Sequence, residues 1–321
     1  MDMIAAHADW SLDPRKRWAC VARRGAAGWK LEAPVPVGEP ERFAAALLAE
    51  GVPAVLGLDV PLGLPRGYAA RRAEAGFVEF LRGRAGDARF FGVAETLEGV
   101  GLEAPFYPRR GVKGMTRASH AAALGLEGAA ALNRWCDAAT STRPAGAPPF
   151  WTLGANQSGK AAIACWRDWL APGLAAGAPY ALWPFEGGLL ELLRPGRLVL
   201  AEVYPAEALR QLSLRIGGSK RDAAARRRLG PALLEAMAGL GAAASPALLD
   251  AVAEGFGRDG PGEDRLDCVL GLLCMVAVLE GRRADFVPAD AMVRRWEGWV
   301  LGQAELPREN AARFRGGSQR S

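Results

Sequence analysis

The stretch PAVLGLDVPLGLP, Pro53 to Pro65, decides how this chain is read. From Ala54 to Leu58 it is apolar without alternation, the pattern of a strand covered on both faces. Pro61 cannot donate to a sheet ladder, so the strand ends close to Asp59 and leaves that carboxylate at its tip. A doubly covered strand implies an α/β fold.

Upstream, PERFAAALLAEG (40–51) predicts a helix, with Phe43, Leu47 and Leu48 at helical spacing, Pro near its start and Gly after its end. Before it, residues 8–24 predict a strand, a Pro-containing turn and a second strand, and GWKLEAP a third, an antiparallel meander. Downstream, YALWPFEG and RLVLAEVYPAE predict two more strands, the second ending at Glu202 and Pro205. The stretch 66–179 between them carries helical pattern broken by Gly and Pro. GPGEDRLDCVLGLLCMVAVLEG predicts a helix with Pro261 and acids in its first turn and Gly281 past its end. The expected organisation is a core of 1–65 and 180–305, a largely helical insertion at 66–179, and a flexible basic tail at 306–321.

The chain has 321 residues, 50% of them apolar, enough to bury a core in one large domain or two smaller ones. A net charge of +5 permits a polyanionic partner such as nucleic acid, although an arginine-favouring coding bias produces the same balance. Five cysteines form no C-x-x-C pair, which argues for reduced structural thiols over a zinc knuckle. The start lacks a signal pattern, and the apolar run Cys268 to Leu279 is too short to span a bilayer. A cytoplasmic protein with no membrane partner is expected; nothing in the sequence speaks to oligomeric state.

The two histidines, His7 and His120, read as surface or capping residues, which leaves little room for Ser-His or Cys-His chemistry. GANQSGKA (154–161) matches the spacing of a phosphate loop, but Ala161 stands where a magnesium-binding hydroxyl is needed and Pro148 and Pro149 sit just upstream. An ordinary helix start capped by Ser158 accounts for it equally well. Lys220 and the run Arg226 to Arg228 are either nucleic-acid backbone contacts or a solvated helix face. The tryptophans at 151, 166, 169, 183, 296 and 299 read mainly as core.

The remaining chemistry lies in acids at the ends of apolar elements. Asp9 falls in the first strand, Asp59 and Glu202 end buried strands, and Asp264 and Asp267 are three apart on one helix face. Each alone fits a turn, a salt bridge or a helix dipole. Asp267 stands out because it precedes an almost uninterrupted apolar run, and Gly271 one turn on allows that helix to approach a sheet closely. A buried carboxylate there needs a partner.

The order of Asp in the first strand, LDVPLGLP, EVYPAE and a late D-x-x-D resembles the domain of unknown function 429 family, whose members are predicted ribonuclease H-like nucleases. The resemblance runs through most of the chain and includes FWTLGANQSGKAAIACWRDWL, LWPFEG, SKR, GEDRLD and EGWVLGQ. Ala8 and Cys268 depart from the Gly and Ala common in that family, and neither removes a carboxylate. The resemblance implies a mixed five-stranded sheet flanked by helices, with the active face at the ends of its central strands. It implies catalytic roles for Asp9, Asp59, Glu202, Asp264 and Asp267, and substrate contacts from Gln157 and Lys160 on a phosphate; Lys220, as a basic residue, is the further candidate for contact with a nucleic-acid backbone.

Two carboxylates about 4 Å apart repel by roughly 4 kcal/mol at an effective dielectric near 20, so such a cluster takes up protons or binds a cation. All-oxygen ligands from Asp9, Asp59, Glu202 and Asp267 suit Mg2+ or Mn2+. The expected function is a two-metal nuclease cutting a phosphodiester. The alternative is a ribonuclease H-like domain that binds nucleic acid or nucleotide without cutting it.

Overall fold

A computed structural model describes residues 1–111, 113–154 and 157–307. The tail expected at 306–321 lies outside the described residues from position 308 onward. The chain divides into two compact units. The first comprises Met1–Val60, Pro179–Phe286 and Val300–Gly302, and the second Pro61–Ala178, Val287–Trp299 and the chain from Gln303 on.

The first unit is built on a sheet of eight strands among the described residues. They are β1 (Met3–Asp9), β2 (Trp18–Gly25), β3 (Gly28–Leu31), β4 (Val35–Pro36), β5 (Ala54–Leu58), β6 (Tyr180–Leu182), β7 (Leu198–Glu202) and β8 (Ala242–Ala244). Their order is β6-β7-β5-β1-β2-β3-β8, with β4 beside β2. Pairings from β6 to β1 and between β3 and β8 are parallel; those of β2 with β1, β3 and β4 are antiparallel. The five strands implied by the family resemblance are thus too few. Six were visible as patterned segments, and the other two, β4 and β8, have only two and three residues, too short for a period to show.

The parallel centre is dry. β5 and β7 are buried throughout and β1 as far as Ala8. The helix Gly262–Leu279 packs on β1 and β2, with every side chain from Leu266 to Val278 buried. Pro261 precedes it, Glu263 and Asp264 lie in its first turn, and Gly281 at φ +65° follows its end. Its close approach rests on two glycines. A Cβ at Gly271 would collide with the His7 ring, and one at Gly57 would come within 2.5 Å of Met275 Sδ.

His7 is therefore no surface residue. It is fully buried between these glycines, because β1 is a central strand with both faces covered, and its Nε2 lies 3.4 Å from the Val203 carbonyl. Burial lowers its pKa to about 4 and keeps it neutral.

In the second unit, Gly and Pro cut the helical pattern into short pieces such as Arg66–Ala69, Phe77–Arg82 and Arg117–Ala123. The longest helical run, Gly159 to Ala175, contains a π turn at Trp166–Leu170. Aromatic edges fill the core instead: Phe106 meets Phe90, Phe150 and Trp166 edge-on at 5.6, 5.3 and 6.3 Å between centroids. His120, also expected at the surface, is buried with Nε2 2.8 Å from the Pro105 carbonyl; Thr116 and Ser119 cap its helix instead. The six tryptophans read as core are all buried. All five cysteines are buried, and among the described residues no helix is long and apolar enough to cross a membrane.

Candidate acidic site at the strand ends

Strand register places the acids. Ala8 pairs with Leu58, and the Asp59 amide donates to the Ala8 carbonyl at 3.1 Å, so Asp9 and Asp59 stand side by side at the tips of two parallel strands. Side chains alternate along a strand, which puts both on the face that carries His7 and Gly57, the face covered by the Gly262–Leu279 helix. Their carboxyls hydrogen-bond to each other. Asp264 and Asp267 come from the first two turns of that helix, close enough for both charges to act on Asp9.

Glu202 is brought to the neighbouring tip but not to that face. It pairs with Leu58, one residue before Asp59, so its side chain leaves the sheet on the opposite side. It is wholly buried, its carbonyl accepts the Leu301 amide at 2.9 Å, and its charge still reaches Asp59.

The electrostatics follow from crowding acids at the rim of the core, where Asp267 is buried and Asp9, Asp59 and Asp264 are half-buried. Burial raises the Asp9 pKa well above the usual carboxylate range, and Asp59, Asp267 and Asp264 push it further. Burial and Asp267 raise Asp59 to about 7, with Lys220 pulling the other way. Burial raises Asp267 to about 6 despite the opposing Lys220. Asp264 is raised by burial and by Glu263, against Lys16 and Lys220.

Lys220 Nζ donates to both oxygens of Asp267, at 2.7 and 2.6 Å. Burial alone would lower its pKa, but the Asp267 charge and hydrogen bond outweigh this and raise it. Its position is fixed by Arg226, which the sequence left as either a nucleic-acid contact or part of a solvated helix face. Arg226 is buried, and its guanidinium donates to the carbonyls of Gly255 at 2.7 Å, Gly257 at 2.6 Å and Lys220. Three carbonyls converging on one spot explain the burial, since a buried charge needs hydrogen bonds. Arg227 and Arg228 are exposed. The sequence missed the Lys220–Asp267 pair; the only signal was that Asp267, inside an apolar helix, had to have a partner.

Gln157 and Lys160 belong to the second unit, Gln157 exposed and Lys160 half-buried. No described strand leads into their loop, and Ala155 and Asn156 lie outside the described residues. Gly159 serves packing: its amide donates to the Trp151 carbonyl at 3.0 Å, and a Cβ there would meet that oxygen at 2.8 Å. Ser158 occupies the capping position, but its hydroxyl donates to the Pro148 carbonyl at 2.9 Å instead of capping the helix.

No family model matches the chain, and no curated protein or solved structure matches it. The family resemblance rests on the motifs and their order.

What the acidic face can do is limited by its charge. Asp9, Asp59, Asp264 and Asp267 bring four carboxylates together against Lys220, with Lys16 and Arg265 acting on Asp264 as well. Raised proton affinity is the response of such a set when no cation shares it. All four offer carboxylate oxygens, Asp267 from a buried position and Asp9, Asp59 and Asp264 from half-buried ones.

Proposed function

We propose that the first unit is a ribonuclease H-like, metal-dependent nuclease that hydrolyses a nucleic-acid phosphodiester. The observation that carries this is the convergence of Asp9, Asp59, Asp264 and Asp267 on one sheet face, with carboxyl pKa values raised by burial and mutual repulsion. Asp9, Asp59 and Asp267 would hold Mg2+ or Mn2+, which when bound supplies Lewis acidity and a more acidic water. Asp264, at the more open end of the pair, would orient the attacking water or accept its proton. Glu202, behind the sheet, would tune the Asp59 charge without touching the substrate.

The test is cleavage of single-stranded, duplex, hybrid and branched substrates in Mn2+ by the wild type and Asp59→Asn. Cutting by the wild type that falls by at least about a hundredfold in the variant is expected. Binding by both with cleavage by neither would replace this reading with a second one, a nucleic-acid or nucleotide-binding domain without activity. The feature favouring that second reading is the Lys220 ammonium, which already neutralises one of the acids.

A further inference from the structure

Lys220 sits where a cation would be expected. Its ammonium contacts both oxygens of Asp267, and it also acts on Asp9 and Asp59 as their opposing charge. The backbone beneath it is pinned, since Arg226 ties the Lys220 carbonyl to the Gly255 and Gly257 carbonyls. A Cβ at Gly262 would strike the Arg226 guanidinium, so the start of the acid-bearing helix is fitted to the same anchor. The side chain has more freedom than its backbone: it is 24% exposed, against 12% for Asp267. Four flexible methylenes let an ammonium swing without moving the chain.

We propose that Lys220 is an exchangeable internal counter-cation: it holds Asp267 while the divalent site is empty and surrenders it on cation binding, freeing its ammonium for a phosphate oxygen of the substrate. This rests on the metal-dependent reading above. The exchange leaves no charge unpaired: the divalent ion takes over the carboxylate that the ammonium leaves, adding one positive charge there, and the ammonium regains an anionic partner on the phosphate. An ammonium fixed permanently on Asp267 would instead repel the ion throughout.

The experiment is calorimetric titration of the full chain with Mn2+ at pH 8, with no nucleic acid present. Lys220→Met is expected to bind at least about tenfold more tightly than wild type, and Lys220→Arg within about threefold of it. The double variant Lys220→Met with Asp267→Asn should lose that gain, which separates competition at Asp267 from a general effect of charge. A second measurement is binding of a short oligonucleotide in Ca2+, which Lys220→Met should weaken. Equal or weaker Mn2+ binding by Lys220→Met overturns the exchange while leaving the metal reading standing, provided that Asp59→Asn abolishes wild-type binding. Absence of Mn2+ binding in every form overturns both. Thermal unfolding of each variant identifies any that fails to fold, and Lys220→Gln then replaces Lys220→Met.

Discussion

Two sets of carboxylates, one in each unit, are accommodated in opposite ways. In the second, Asp137 is fully buried and receives both Nε and a terminal nitrogen of Arg134, at 2.8 and 2.9 Å, while buried Glu297 receives Arg66 at 2.5 Å. Both acids receive a guanidinium, although Arg66 also reaches Asp290 at 3.3 Å. In the first, Lys220 is the cation common to Asp9, Asp59, Asp264 and Asp267, and burial drives their proton affinity up. Matched pairs hold a fold together. An unmatched cluster costs stability.

The strongest challenge to this contrast is Arg134→Leu, which leaves Asp137 charged and buried. It should destabilise the protein by about 4 kcal/mol in urea unfolding. A loss under about 1 kcal/mol would show that the pair is not structural. Next in size is Gly271→Ala, which forces the acid-bearing helix away from His7 and should cost about 2 to 3 kcal/mol. Adding His7→Ala should recover part of that loss.

Asp59→Asn should act with the opposite sign. In chelator at pH 8 it is expected to stabilise the protein by about 2 kcal/mol, less than the shift to about 7 would give alone, because the cluster shares protons. A carboxyl whose pKa is raised on folding takes up protons as the chain folds. Cation-free stability should therefore fall as pH rises from about 4 to about 7 and stay low above that, and Asp59→Asn should flatten the slope. Destabilisation by Asp59→Asn at pH 8 would erase the difference between the units. The smallest effect belongs to Arg23→Ala. It removes a surface pair with Glu50, exposed 48% and 34%, and should change stability by about 0.5 kcal/mol in the same assay.

Much of the first unit was legible because its signals are local. Unbroken apolar runs marked β5, β7 and the Gly262–Leu279 helix, and the acids at their ends were visible as charges beside apolar residues. Gly271 pointed to close helix packing, and its neighbour proved to be His7. What was hidden depends on distant partners. The face chosen by Glu202 is decided by a single step of register between β5 and β7, which no local pattern encodes. Lys220 and Arg226 looked like surface cations because basic runs usually are. Only the carbonyls of Gly255 and Gly257, some thirty residues on, make a buried place for Arg226.

The discontinuity of the first unit has a consequence for synthesis. β5 and β7 are neighbours in the sheet, yet the stretch 61–178 of the second unit is translated between them, and Asp267 emerges later still. At about 5 to 20 residues per second, Asp9 and Asp59 wait on the order of 10 s or more on the ribosome before the other acids exist. A nascent polypeptide therefore carries only two of the four acids of that face until the Gly262–Leu279 helix has been made.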